Sequence, residues 1–305
     1  MWGKAGRGVK NSPLFEQWYI LFKLMKKMLD FVKMQATGND FIMVDARSLD
    51  IDWQNISKKM CDRHLGVGAD GLMAVMGSAV AGLRMRLFNA DGSEAQISGN
   101  GLRCFAKYAV DRKLAAGPGI SIETLAGIKH IETIQSGGKV THARVNMGIP
   151  VLATADIPVS VEGKGPVLNY PLSVGGRDLE VAFVSMGNPH AICFMEGDVD
   201  GFPLHEVGPL VENHRIFPER TNFEIVNRID RQHLKARVWE RGVGETLACG
   251  SGSSATAVAC RLKGFSGEKV DITMPGGVLT VTWDGEGDVF LQGPVEEVFT
   301  GEFPL

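Results

Sequence analysis

Residues Arg84–Ala109 read RMRLFNADGSEAQISGNGLRCFAKYA, and residues Lys235–Cys260 read KARVWERGVGETLACGSGSSATAVAC. The two stretches align without a gap at an offset of 151 residues, from Arg84 to Lys235. Arg86 meets Arg237, Glu94 meets Glu245, Gly99 meets Gly250, Gly101 meets Gly252 and Ala106 meets Ala257. Upstream, Gly38-Asn39 in TGNDF is echoed by Gly187-Asn188 in MGNPH. Chance can supply a glycine pair. Strand, loop, glycine turn and helix in the same order twice mark an internal repeat, so the chain reads as two similar domains that meet near Asn146–Pro150.

Working outward from the repeat, apolar-polar alternation predicts strands over Phe41–Asp45, Arg84–Asn89, Ala143–Met147, Ala182–Met186, Ala236–Glu240, Val270–Met274 and Val278–Trp283. Helical periodicity is rarer and falls on Trp53–Asp62, Leu102–Leu114 and Ser253–Lys263. The two longer helices each follow a glycine cluster. This mixture indicates an α+β fold with mainly antiparallel sheet.

Each repeat ends in a small polar residue, glycines and a helix: Ser98-Gly99-Asn100-Gly101 and Cys249-Gly250-Ser251-Gly252. The first N–H groups of a helix have no partner within it, and with the helix dipole they form an anion site. A thiol at such a place is expected to have its pKa lowered from about 8.5 toward neutrality and to act as a base. Taken singly, Ser98 reads as a helix N-cap and Cys249 as a buried thiol. Taken as a matched pair, they read as one site between two domains. Inverting a tetrahedral carbon requires one group to remove a proton and another to deliver one to the opposite face, and paired loops supply both. N–H donors at the two helix ends would stabilise the carbanion.

The chain resembles the diaminopimelate epimerase family from about Phe31 to the C-terminus. The resemblance rests on KMQATGNDFIMVD, CDRHLGVGADGL, RLFNADGSEAQISGNGLRCFAKY, GNPHAI, FPERTNFEIV, ERGVGETLACGSGSSA and the terminal LQGPVEEVFTGEF. It implies two pseudo-symmetric α+β domains, each a sheet wrapped around a central helix. The domains would be 28–146, joined by 294–305, and 147–293, with 1–27 as an extension. It also implies an isomerase that interconverts LL- and meso-diaminopimelate in lysine and peptidoglycan precursor synthesis, with neither pyridoxal phosphate nor metal. Carried over by position, Asn39, Asn89, Asn188 and Asn222 would hold substrate. Gly99-Asn100 and Gly250-Ser251 would bind the reacting α-carboxylate. Glu240 would help bind the α-amino group, Arg241 would pair with the distal carboxylate, and His190 would support catalysis. A planar Arg fork suits a carboxylate, and Asn side chains, donor at one end and acceptor at the other, suit a zwitterion.

One position departs from the family. The first loop carries a cysteine there, as CGNG, and this chain has Ser98; Cys249 keeps the second position. Serine is a far weaker acid, so proton transfer at the Ser98 face is expected to be slow. Cys104, inside the following helix, is not expected to substitute. An altered base pair, a relative acting on another amino acid as racemase or dehydratase, an amino-acid-binding homologue with little activity, and an engineered substitution all accommodate Ser98.

Composition narrows the remaining classes. A formal net charge of −3 argues against a broad basic surface for nucleic acid. Five widely spaced cysteines with no C-x-x-C pair suggest neither a zinc site nor a thioredoxin-like motif, and fit free thiols in a reducing cytoplasm. No apolar run reaches 18 residues, so no spanning helix is expected. Leu14–Leu29 is amphipathic and basic, and is read as an accessory extension or as sequence upstream of a start at Met25 or Met28. Gly66–Gly71 fits G-x-G-x-x-G, but the apolar run after it, LMAVM, is too short for the helix a dinucleotide site needs. The expected partner is a small-molecule substrate, with a homodimer as the assembly.

Overall fold

The computed structural model describes residues 28–163 and 165–305. The extension at 1–27 and most of the amphipathic stretch Leu14–Leu29 therefore lie outside the described residues. The first half runs β1 (Met28–Ala36), β2 (Asn39–Asp45), α1 (Trp53–Cys61), β3 (Gly71–Met76), β4 (Leu83–Asn89), β5 (Glu94–Ala95), α2 (Gly99–Asp111), β6 (Gly119–Thr124), β7 (Gly127–Ser136) and β8 (Lys139–Gly148). The second half continues with β9 (Tyr170–Val174), β10 (Arg177–Ser185), β11 (Pro189–Met195), a short 3-10 turn (Val199–Gly201), α3 (Leu204–Glu212), β12 (Asn222–Arg228), β13 (His233–Glu240) and β14 (Gly244–Thr246). It closes with α4 (Gly250–Leu262), β15 (Lys269–Met274), β16 (Gly277–Thr282), β17 (Val289–Pro294) and β18 (Glu296–Pro304).

The repeat seen in the sequence is a repeat of pairing. In the first half β1–β2 is antiparallel, β2–β3 parallel, β3–β4 antiparallel, β4–β6 parallel, and β6–β7 and β7–β8 antiparallel. In the second half β10–β11, β11–β12, β12–β13, β13–β15, β15–β16 and β16–β17 follow the same series of directions. β8 pairs with β17, which joins the two sheets, and β18 returns to pair with β1. The result is the expected α+β fold of two similar sheet-and-helix units, with the parallel pairs as the minority.

Each sheet wraps one helix. Every residue of α2 from Asn100 to Ala109 is buried, and Leu102, Cys104, Phe105, Ala106 and Ala109 join the core formed by β1–β4 and β6–β8. The helix α4, rich in glycine, serine and alanine, occupies the same place in the second half, in one core with Val184, Ile192, Val238, Ile272 and Leu279. A helix buried on all sides must satisfy its polar side chains internally. Lys107 does so with Asp111 (2.8 Å) and the Val140 carbonyl, and Arg103 donates to Thr37 Oγ1 (2.9 Å).

The Arg103 bond steadies an unusual turn. Ala36 pairs with Asn39 across a two-residue hairpin in which Thr37 (φ 52) and Gly38 (φ 85) are both left-handed, as a type I′ turn requires. A β-branched residue resists that conformation. The turn reaches the second half: a Cβ at Gly276 would lie 2.0 Å from the Thr37 carbonyl oxygen, so only glycine allows this approach.

The seven strands expected from alternation all form; five lie within longer elements, while β10 stops at Ser185 before Met186 and β16 at Thr282 before Trp283, and the LMAVM run is part of β3. Some readings change. Both central helices begin three residues earlier than expected, at Gly99 rather than Leu102 and at Gly250 rather than Ser253, because their glycine clusters are already helical, with Ser98 capping the first. α3 was not expected, since Gly208 and Pro209 interrupt its pattern. Gly208 sits in it because a Cβ there would meet the Trp239 ring at 2.6 Å.

Candidate active site at the two helix mouths

The N-termini of α2 and α4 converge where the two halves meet. Asn100 Nδ2 on α2 donates to the Ala248 carbonyl (3.4 Å), one residue before Cys249, and to Asn39 Oδ1 (3.3 Å). Asn100 Oδ1 is buried without a partner and faces Gly250, lying 3.8 Å from where a Cβ on that glycine would stand. Asn100 thus ties the α2 mouth, with Ser98 and Gly99, to the α4 mouth, with Cys249, Gly250 and Ser251.

The two mouths are built differently. Ser98 is extended (φ −140°), and its Oγ accepts from Gly101 N at 3.0 Å, the bond of an ordinary N-cap. Cys249 is also extended (φ −125°) but makes no capping bond. Its thiol donates to Glu240 Oε2 (3.2 Å) and lies 3.5 Å from Ser251 Oγ. Thr246 Oγ1 holds the other Glu240 oxygen. The repeat places Asn89 where the second half has Glu240, so Ser98 has no carboxylate at the matching position.

The thiol contradicts the sequence expectation of a lowered pKa. Cys249 is 5% exposed, and burial, then the charges of Glu240 and Glu224, push its pKa well above the ordinary cysteine value; Ser251 and the Gly252 amide pull only weakly the other way. A helix mouth is worth at most about 2 kcal/mol, and here burial beside two carboxyl groups outweighs it. All five cysteines are free and buried, and Cys104 is held at about 12 by burial.

Below Cys249 lies a buried pair the sequence only half revealed. His190 Nδ1 meets Glu224 Oε1 at 2.7 Å, with both side chains fully buried, and His190 Nε2 meets Asn188 Oδ1 at 3.0 Å. Burial raises the Glu224 carboxyl, with His190 pulling the other way. In the first repeat Phe41 and Met73 stand at the positions of His190 and Glu224, so the fold itself does not require the polar pair.

The remaining expected residues fall into two sets. Asn39 and Asn188 stand at the junction: Asn39 is bonded at both amide ends, by Asp70 and by Asn100, while Asn188 is bonded through its oxygen to His190. Asn222 is 3% exposed, and its ends are taken by the Pro189 carbonyl (2.8 Å) and Arg241 N (2.9 Å); it places Arg241. The Arg241 guanidinium touches only the Glu219 carbonyl (3.0 Å) among its hydrogen bonds. Asn89 is exposed at the end of β4 and donates to Ser93 Oγ (2.9 Å). Sequence reading missed Glu224, Thr246 and Asp70. Asp70 lay in plain view inside GVGADGL, where only the glycines drew notice. No group of three or more His, Cys, Asp and Glu among the described residues is arranged to hold a metal, and no described helix is long and apolar enough to cross a membrane.

The diaminopimelate epimerase family profile matches residues 31–153 and 182–298. This chain belongs to the diaminopimelate epimerase family. It is 46% identical over 280 residues to the diaminopimelate epimerase of Moorella thermoacetica, covering 91% of this chain and all of that protein. It is likewise 46% identical over 279 residues to that of Methanococcus maripaludis, with 91% and 100% covered. Among solved structures, a PhzF-family phenazine biosynthesis protein of Bacillus anthracis superposes with a TM-score of 0.67 at 21% identity, covering 91% of this chain and 99% of that one. A hydroxyproline epimerase of Agrobacterium vitis gives 0.65 at 12%, covering 92% and 93%. At such identities these two speak to the fold alone: a paired α+β architecture shared well beyond the diaminopimelate epimerase family.

Proposed function

We propose that this chain epimerises diaminopimelate between its LL and meso forms by moving the α-proton across the cleft between Cys249 and Ser98. The observation that carries the proposal is the convergence of two helix mouths at Asn100, Ala248 and Gly250. An α-carboxylate there would accept N–H groups from Gly99-Asn100 and Gly250-Ser251, which also stabilise the carbanion as it forms. Its carbon would then lie between the two side chains that flank those glycines.

The Glu240–Cys249 contact explains how a protonated thiol becomes a base. An incoming α-ammonium beside Glu240 offsets the carboxylate charge, one of the causes that hold the thiol high. Substrate binding then frees the thiol to ionise. The Arg241 guanidinium, free of a carboxylate partner among the described residues, would take the distal carboxylate. His190 supports the site from beneath through Asn188. No cofactor enters this scheme.

The test is incubation of the full chain with LL-diaminopimelate in heavy water. Deuterium entering the α-position together with meso product supports the assignment. Binding without either would leave an amino-acid-binding protein, and absence of both binding and exchange would remove diaminopimelate as the substrate. A homodimer is proposed with it. β18 pairs with β1 alone among the described strands and exposes Val298 and Phe299, and sedimentation of the full chain checks it.

A further inference from the structure

The two repeat-related asparagines, Asn39 and Asn188, are held in opposite senses. Asn188 offers its oxygen to His190 Nε2 (3.0 Å), which leaves its amide nitrogen with no partner among the described residues. Asn39 does the reverse. Its Nδ2 donates to Asp70 Oδ2 (2.5 Å), and its Oδ1 faces the helix mouths, where Asn100 Nδ2 meets it at 3.3 Å. A carboxylate can only accept, so Asp70 admits no other orientation of the Asn39 amide.

Asp70, although partly exposed, is itself held by three further hydrogen bonds. Its Oδ1 takes Arg63 Nη2 (2.7 Å), its Oδ2 takes the Asp40 amide (3.1 Å), and its own amide donates to Asp40 Oδ1 (3.0 Å). Asp40 in turn is paired with Lys33 (2.6 Å) and Arg63 (2.7 Å). Asp70, the one charged group that touches the Asn39 amide, is thus linked to three more charged side chains behind it. The second half has Thr221 where the first has Asp70, and it turns its asparagine with a histidine instead.

We infer that Asp70 is a positioning residue that fixes Asn39 with its oxygen toward the cleft, so that the two halves present one acceptor and one donor to a zwitterionic substrate. The asymmetry tells the two ends of the cleft apart. An N–H of the substrate matches the Asn39 oxygen, and a carboxylate oxygen matches the Asn188 nitrogen. An amide free to turn would serve either group and discriminate neither. This deepens the diaminopimelate reading and rests on it for the kinetic arm of its test.

Three near-isosteric variants decide it: Asp70→Asn, Asn39→Asp, and the two together. Asp70→Asn lets the amide at position 39 turn. Asn39→Asp sets two carboxylates against each other. The double variant restores a donor facing a carboxylate, with an oxygen again toward the cleft. KM for diaminopimelate should rise tenfold or more in Asp70→Asn with kcat changed less than threefold, rise at least as far in Asn39→Asp, and recover most of the loss in the double variant. A merely structural role for Asp70 would not give that recovery. Unchanged KM in Asp70→Asn, or a double variant no better than either single, overturns the inference. A second readout needs no substrate: the Asn39 side-chain amide protons of the full chain, followed by NMR. One should be shifted downfield and exchange slowly in the parent, and lose both features in Asp70→Asn; if they do not change, the inference also fails. Absent turnover by the parent counts against the diaminopimelate reading alone.

Discussion

The Cys249 thiol donates to Glu240 Oε2 at 3.2 Å, so burial first, and then the charge of the group proposed to bind substrate, keep the strongest acid–base candidate at the two mouths protonated. Removing that charge without removing the side chain separates the two roles. In Glu240→Gln, Cys249 loses one cause of its raised pKa, and every unit by which a thiol pKa falls raises the thiolate fraction about tenfold. Alkylation of Cys249 by iodoacetamide at pH 7.5 should become several-fold faster, while epimerisation falls by at least two orders of magnitude. Peptide mass mapping of the alkylated site and a turnover assay check the pair of outcomes. Slower alkylation in the variant would contradict the charge argument.

The same raised pKa sets a pH profile. In the free enzyme the thiol is ionised to a small extent at neutrality and increasingly above it. Because kcat/KM reports the free enzyme, it should climb steadily from pH 7 to pH 9 with no plateau near 7. A bell centred at neutral pH would mean that the resting thiol is not held high. Alkylation of Cys249 should follow the same rising curve.

Ser98 and Cys249 are mirror positions with a trade between stability and chemistry. Ser98 caps α2 and Cys249 does not cap α4. Ser98→Cys should raise turnover by orders of magnitude while weakening the cap by about 1 kcal/mol, since sulfur is a poor acceptor. Cys249→Ser should do the opposite, raising the melting temperature slightly and cutting α-proton exchange severely, and Cys249→Ala should abolish exchange with the fold intact. Turnover and thermal melts on the three proteins test this. If Ser98→Cys is no faster, Ser98 is activated by a base not identified here, or the substrate is not diaminopimelate.

Much of this architecture was legible because the chain states it twice. The alignment of Arg84–Ala109 with Lys235–Cys260 located both central helices and both mouths, since glycine and a small capping residue recur where the backbone must open to a ligand. α3 escaped because Gly208 and Pro209 look like breakers, although Trp239 packing demands the glycine. The direction of the Cys249 shift escaped for another reason. A helix mouth is visible in sequence, whereas Glu224 and Glu240 converge on Cys249 only once β12 and β13 fold beside α4. Glu224 was hidden in an alternating strand, TNFEIV, where a charged residue ordinarily marks the solvent face. The amide orientations of Asn39 and Asn188 depend on residues 31 and 2 positions away, and no spacing rule could supply them.

The network beneath Asn39 should leave an acid signature. Burial alone would raise the Asp40 carboxyl, but hydrogen bonds and charges from Arg63 and Lys33 outweigh it and hold the pKa at about 2, against an ordinary value near 3.8. The folded-state pKa is depressed, so the stabilisation is fully present above about pH 4 and is lost as pH falls toward 2. Arg63 is half-exposed, so solvent screening reduces its size. Asp40→Asn should lower the melting temperature by a few degrees at pH 7, with the gap closing between pH 4 and pH 2. A gap independent of pH would point to lost packing rather than lost charge.

The last test uses the repeat as its own control. Gly101 and Gly252 are equivalent third positions of α2 and α4, and neither needs a left-handed backbone. Alanine in a helix gains roughly 0.8–1 kcal/mol over glycine, so packing decides the outcome. At Gly101 a new Cβ would fall 2.1 Å from the methyl end of Met73, a flexible side chain that can swing away. At Gly252 it would fall 2.5 Å from Glu224 Oε1, which is locked to His190 at 2.7 Å within a fully buried pair. Moving that carboxyl breaks a bond that nothing nearby replaces. Gly101→Ala should therefore melt within a few degrees of the parent, while Gly252→Ala should lose about 1–3 kcal/mol, the usual range for overpacking. It should also lose activity through the displaced histidine. Thermal melts of the two variants, with turnover measured on each, give the comparison. Equal stability would show that the Glu224–His190 pair yields as easily as a methionine, and would remove it as a rigid support for Asn188.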